Sequence, residues 1–216
     1  LETFQENISI NTKTIEKYSN EEKVDKAINL HLQGNILEAT KYYKYFIDKG
    51  LNDHRIFSNY GAILNKLGKL NESEKMIRKA IEIKPNFSQA YNNLGNTLKD
   101  LGKLKEAEKS YLKAIYFNSD YVNAYSNLGV IFKAQGKLNE AEKSYRKAIE
   151  LKPEFANAYS NLGIILKDLG KLREAEKAQR RAIELKPDFA TAYLNLGVLF
   201  REIGKLKEAE KAQRRA

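Results

Sequence analysis

Apolar residues in the C-terminal half of the chain fall at helical spacing. Tyr159, Leu162, Leu166 and Leu169 recur three and four places apart, with Asn157, Ser160, Asn161, Lys167 and Asp168 between them. This spacing predicts an amphipathic helix over 157–169. Gly170 follows it, the residue that most readily takes the left-handed conformation closing a helix. A second helix is predicted from about Leu172 to Leu185, with Ala175, Ala182 and Ile183 on its inner side. Pro187 stops it.

The same two-helix pattern recurs every 34 residues. NAYSNLG fills 123–129 and again 157–163. Gly163 aligns with Gly61, Gly95, Gly129 and Gly197, and Gly170 with Gly34, Gly68, Gly102, Gly136 and Gly204. Ala175 aligns with Ala39, Ala107, Ala141 and Ala209, and Pro187 with Pro85 and Pro153. The blocks are 20–53, 54–87, 88–121, 122–155, 156–189 and 190–216, preceded by a leader over 1–19 with no clear pattern. A fixed period of this length predicts a solenoid, in which each block buries its apolar faces against its neighbours. Gly163 and Ala175 are small, so the two helices of a block are expected to approach closely. The block 20–53 is degenerate: Lys26 and Ala27 stand where later blocks have Leu or Tyr and then Gly. A polar end block suits a cap. Gln179 and Gln213 replace Tyr111 and Tyr145, so weaker packing is expected in the last two blocks.

The pattern AYSNLGxxxKxxGKLxEAExxxxKAIELKPxF resembles the tetratricopeptide repeat in length and in its small, aromatic and proline places. The likeness is clear over 54–216 and weak over 20–53. It extends to the repeat arrays of O-linked N-acetylglucosamine transferases and to bacterial tetratricopeptide-repeat proteins. The resemblance implies an all-α fold, a right-handed superhelix of antiparallel helix pairs. It also implies a concave groove lined by the first helix of each block, and a scaffold that binds protein or peptide segments.

Within that frame, one face of each first helix becomes a candidate groove wall. Tyr159, Leu162 and Leu166 point into the stack, and Asn157, Ser160, Asn161, Ile164, Lys167 and Asp168 fall on the other side. Asn59, Asn93, Asn127, Asn161 and Asn195 are equivalent and would form a ladder of amides. An amide both donates and accepts, so it can match an extended peptide backbone of any sequence. The family offers two readings: such an asparagine bonds neighbouring helices within the array, or it grips polypeptide backbone as in the transferase repeats. The centre of the face turns apolar toward the C-terminal half, with Val130, Ile164 and Val198 and with Leu194 beside them. Apolar groups on a concave wall suggest side-chain pockets, although the same residues could pack on adjoining first helices. One rim carries Lys99, Lys133, Lys167 and Arg201, which favours acidic or phosphorylated partners. Arg55, Gln89 and Asn123 do not reproduce the two-block clamp that holds the C-terminal carboxylate of chaperones in one subtype of the family.

Composition narrows the function without naming a ligand. The chain has 216 residues, 42% of them hydrophobic, a net charge of +10 and no Cys. Disulfides, thiolate metal sites and cysteine nucleophiles are excluded. The excess positive charge is spread thinly over the blocks from 54 onward and gathers in no arm, and the repeated aromatics sit at core places. Nucleic-acid binding is therefore disfavoured. No apolar run approaches membrane-spanning length and no export signal opens the chain, so no membrane association and a cytoplasmic location are expected. His31 and His54 have no partner at a meaningful spacing, and no catalytic, metal or cofactor motif occurs. The chain begins with Leu1 and stops inside a block, which suggests a piece of a longer protein. An alternative to the pure scaffold follows, a substrate-recruiting arm of a larger enzyme such as a glycosyl transferase. An open C-terminal end also predicts self-association.

Overall fold

The computed structural model describes residues 19–216. The leader and its missing export signal fall outside the described residues except for Ser19. The described residues form twelve α-helices and no strand. The chain divides into two compact units between Leu101 and Gly102.

The first unit holds α1 (Asn20–Leu32), α2 (Ile36–Asp48), α3 (His54–Lys66), α4 (Leu70–Ile83) and α5 (Ser88–Asp100). Ser19 caps α1: its side chain accepts from the Glu22 amide at 3.2 Å, and Glu22 accepts from the Ser19 amide at 2.7 Å. This reciprocal box satisfies two of the orphan donors of the first turn. Sequential helices pack on each other, and first helices also pack across to the next pair, α1 on α3 and α3 on α5. The core joins Val24 and Ala27 to Tyr42, Tyr43, Phe46, Ile56, Tyr60 and Ile63. Lys26 is exposed, with its ammonium 5.6 Å from the Tyr42 ring centroid. The degenerate pair therefore keeps an aromatic core beneath its polar replacement.

The second unit holds α6 (Leu104–Phe117), α7 (Val122–Ala134), α8 (Leu138–Leu151), α9 (Ala156–Asp168), α10 (Leu172–Leu185), α11 (Ala190–Glu202) and α12 (Leu206–Gln213). Here too each helix packs on the next, and α9 packs across to α11. Tyr145, Leu162, Ile165, Leu166, Leu196, Leu199 and Phe200 form the continuous core. The turn after α9 shows why a glycine recurs. Gly170 has φ 73°, a conformation that side chains resist, although the space around it is open. In that shape the Gly170 amide donates to the Lys167 carbonyl and the Lys171 amide to the Leu166 carbonyl, both at 2.8 Å. These bonds satisfy carbonyls that the helix end would leave unpaired.

The close approach inside a pair has a specific shape. A Cβ on Gly129 would lie 2.7 Å from the Tyr145 ring, and one on Gly163 2.5 Å from the Gln179 amide nitrogen. The glycine thus makes room for the large residue of its own second helix, lying across its Cα.

The second helices carry more than isolated i,i+4 ion pairs. Glu142 does pair with Arg146 at 2.9 Å, but it is buried, and the Lys171 ammonium of the next pair reaches it at 2.8 Å. Arg146 in turn reaches Glu174 at 2.8 Å. Lys137 approaches Glu108 at 3.4 Å, and Lys205 approaches Glu176 at 3.7 Å. These contacts join successive pairs across their outer side. Burial pushes the Glu142 carboxyl up, but the bonds from Lys171 and Arg146 outweigh it and hold the group below its ordinary value of 4.5. A lowered carboxyl contributes stability that is fully present above the unfolded value and is lost as pH falls through the folded one. Because both cations are about half exposed, Glu142→Gln should cost only about 1 kcal/mol at neutral pH. Urea unfolding should show that difference shrinking as the pH is lowered below 4.5. A difference unchanged by acid would mean the carboxylate charge plays no part.

Candidate functional site

The residues singled out in the sequence lie on the first helices of the pairs. In the first unit, Asn59 lies on α3 and Asn93 on α5, both half-buried. The Asn93 amide nitrogen donates to the Ser58 hydroxyl at 3.1 Å. Ser58 has no exposed surface, so this bond ties α5 to α3. Asn59 accepts from Gln89 at 3.1 Å. It also bonds the Tyr43 phenol, which burial pushes up to about 12 and which that bond partly restrains. Lys99 pairs with Asp100 at 3.1 Å, and Asn65 donates to Asp100 at 2.9 Å. Arg55 is held by Asp53 and Asp25, each at 3.0 Å. His54 packs edge-on to Phe87, and His31 lies 3.4 Å from the Tyr43 hydroxyl. Among the described residues no group of three or more His, Cys, Asp or Glu gathers as metal ligands, and no helix is long and apolar enough to cross a membrane.

In the second unit the face is better formed. Val130 on α7 and Leu194 and Val198 on α11 are exposed, at 37%, 49% and 42%. Asn127, Asn161, Ile164 and Asn195 are half-buried, and Lys133 and Arg201 are exposed. Among the described residues no side-chain hydrogen bond reaches Asn161. Asn195 differs: its amide nitrogen donates to the Ser160 hydroxyl at 3.2 Å, repeating the Asn93–Ser58 bond. Ser160 therefore does not line a free wall as its helical position suggests. It is 2% exposed, covered by the next first helix.

A hollow of about 230 Å³ opens on this face. It is lined by Lys133, Gly163, Ile164, Lys167, Gln179, Asn195, Val198 and Leu199. Lys133, Ile164, Lys167, Asn195 and Val198 were all selected from the sequence, and they converge here from α7, α9 and α11. Lys167 bonds Asp168 at 3.0 Å and lies 3.8 Å from Glu202. The bond to Asp168 holds its ammonium above the usual range. The rim is thus cationic but partly balanced.

Gln179 is the member that sequence reasoning missed. It is 2% exposed and reaches over Gly163, where its amide nitrogen donates to the Ser160 carbonyl at 2.8 Å. The signal lay in the comparison of equivalent places: Tyr111 and Tyr145 are bulky where Gln179 is slender. The replacement reads in sequence as weaker packing, and in the structure it lines a hollow.

Models of the tetratricopeptide repeat match residues 54–87, 76–109, 95–136, 129–170 and 154–216. Among solved structures, MamA is similar, with 26% identity and a TM-score of 0.65 over 72% of this chain and 91% of that one. YrrB, described as a TPR protein with an unusual peptide-binding site, is 22% identical with a TM-score of 0.64, covering 80% and 89%. Pseudomonas aeruginosa pilF is 14% identical with a TM-score of 0.78, covering 89% and 87%. The last two likenesses speak for the fold alone. No curated protein gives a significant match.

Proposed function

Because the chain belongs to the tetratricopeptide-repeat family, we propose that it is a protein-interaction scaffold that takes an extended partner segment on its first-helix face. Repeats of this family generally bind protein or peptide partners and carry no catalytic machinery of their own. The observation that supports this site is the convergence of Lys133, Ile164, Lys167, Asn195 and Val198 on one hollow. Its walls are aliphatic, its rim is cationic, and amides stand between them. Such a mixture is what a specific side-chain pocket needs: apolar area for affinity and a few polar groups for orientation.

The asparagines divide the work. Asn93 and Asn195 brace adjacent first helices through Ser58 and Ser160. Asn161 sits on the same face and is the amide best suited to meet a partner's backbone. Lys133 and Lys167 favour neutral or acidic side chains and repel cationic ones.

A random-peptide library selected on the full chain tests the reading. Val198→Glu places a carboxylate on the hollow at a position exposed enough to spare the core. Selected peptides should bind this variant about tenfold more weakly or worse, a loss of about 1.4 kcal/mol, with an unchanged thermal melt. Peptides that bind Val198→Glu as tightly as the wild type would overturn the assignment.

A further inference from the structure

The outer side of α6 departs from the other second helices at two places at once. Arg78, Arg146 and Arg180 each pair with the glutamate four places before them. Glu82, Glu150 and Glu184 each pair with the cation three places before them. At the equivalent places α6 has Leu112 and Tyr116. Two such residues four places apart can cover each other on a helix surface. Here they are 46% and 82% exposed, so both stay open to solvent. Phe117 adds a third ring edge beside them, its centroid 5.1 Å from that of Tyr116.

Charge and geometry around this pair select what covers it. At about 100° per residue, Lys105, Lys109, Leu112 and Tyr116 lie within about 60° of one another on α6. All four are exposed, and among the described residues no ion pair reaches Lys105 or Lys109. Glu108 accepts from Gln135 at 2.8 Å and meets Lys137 at 3.4 Å, so its carboxylate is engaged by the next pair. A hollow of about 620 Å³ extends the stripe toward the start of α6, with Leu104 and Ala134 in its lining and Lys105, Lys109 and Lys137 around it. The face is therefore apolar along its middle and cationic at its edges, which calls for carboxylates flanking apolar side chains. The backbone of α6 is bonded within the helix. Lysine side chains only donate and leucine does neither, so the stripe cannot offer the alternating donors and acceptors that an extended segment needs. A segment lying on it must satisfy its own backbone, as a helix does.

We propose that this stripe docks an acidic amphipathic helix of a partner protein, its apolar residues on Leu112 and Tyr116 and its carboxylates beside Lys105 and Lys109. From Lys105 to Tyr116 the stripe runs about 17 Å, about three helical turns. It lies on a second helix and shares no lining residue with the hollow on the first-helix face. It is thus a separate docking surface, independent of the groove reading. A second copy of this chain suits it less, because each copy carries a net charge of +10. A membrane surface suits it less, because interfacial helices bury a broad apolar face and this one offers a narrow stripe.

The test is a helical-peptide library with outward positions varied among Asp, Glu, Lys, Arg, Ala, Leu and Phe. It is selected on the full chain and counter-selected on the double variant Leu112→Arg with Tyr116→Glu. That variant gives α6 the residues its neighbours carry at these exposed places, so it should keep the wild-type melt. Selected peptides should carry Asp and Glu around Leu or Phe, and should shift the Leu112 methyl and Tyr116 ring signals in NMR spectra. They should bind the double variant about tenfold more weakly or worse. Lys105→Glu with Lys109→Glu should weaken them by a similar factor, and this variant serves for the counter-selection if the first fails to fold. Failure to recover any peptide that discriminates against the variant, or recovery of basic peptides, would overturn the proposal. A dimer in sedimentation that the double variant loses would also overturn it, assigning the face to a second copy. Binding to phosphatidylglycerol vesicles that the double variant loses would overturn it too, assigning the face to a membrane.

Discussion

Tyr145→Ala should destabilise the protein by about 3–5 kcal/mol, the range for removing a buried aromatic residue. The upper part of the range is the better expectation. Tyr145 is 2% exposed and its ring wedges between the backbone of α7 at Gly129 and the core around Leu162 and Ile165. Gly129 has no side chain that could move into the space, so the cavity cannot collapse from that side. Burial also pushes the Tyr145 phenol well up, in keeping with a ring sealed from water. Urea unfolding of the full chain measures the loss. In a repeat architecture stability is a sum of block terms and nearest-neighbour terms. Hydrogen exchange should therefore accelerate most in α7, α8 and α9 and much less in α1 and α2. A loss below about 1 kcal/mol would contradict the wedge and put Tyr145 with surface substitutions. Tyr145→Gln should lie between wild type and Ala, because Gln179 shows that the slimmer amide can occupy this place.

The second large effect comes from the other half of the same contact. Gly129→Ala would set a methyl 2.7 Å from the Tyr145 ring, a distance that must be relieved by movement. A rigid buried ring has nowhere to go, so overpacking of about 1–3 kcal/mol is expected. Alanine's helix preference over glycine returns up to about 1 kcal/mol, leaving a net loss that Tyr145→Ala in the same chain should remove. Gly163→Ala is the informative contrast. Its methyl would meet the end of Gln179, which has more freedom to swing than a ring. That variant should come out near neutral, with the helix preference offsetting the lost Gln179–Ser160 bond. Equal losses for the two glycines would show that backbone spacing, not the facing side chain, sets the requirement.

The fold was legible in the sequence because its signals are local and repeated. The second helix read as Leu172–Leu185 has those bounds in the structure, set by Gly170 before it and Pro187 after it. The site was legible only in part. Helical angles placed Ile164, Lys167 and Val198 on one face, and the hollow brings them together. The same angles placed Ser160 there too, but its exposure is decided by the next first helix, which carries Asn195 to it. A bond between residues 35 apart is visible only once the stacking offset is known. Gln179 escaped for a related reason: whether a slimmer residue loosens the packing or borders a hollow depends on what stands across from it. A four-residue spacing suffices to suggest the Glu142–Arg146 pair, whereas the burial of Glu142 and its contact with Lys171 require the neighbouring pair.

The contacts from Glu108 to Lys137, Glu142 to Lys171 and Glu176 to Lys205 make the joint between neighbours portable. The blocks 122–155 and 156–189 each carry both the acid that receives the successor and the cation that meets the predecessor. A segment duplicated or deleted in whole blocks, starting at any point in the cycle, therefore arrives with both halves of the joint in register. Unequal recombination between near-identical stretches such as 123–129 and 157–163 could lengthen or shorten the array without inventing a new interface. Array length becomes a trait that selection can tune in steps of one block, while the chemistry of each groove position drifts separately.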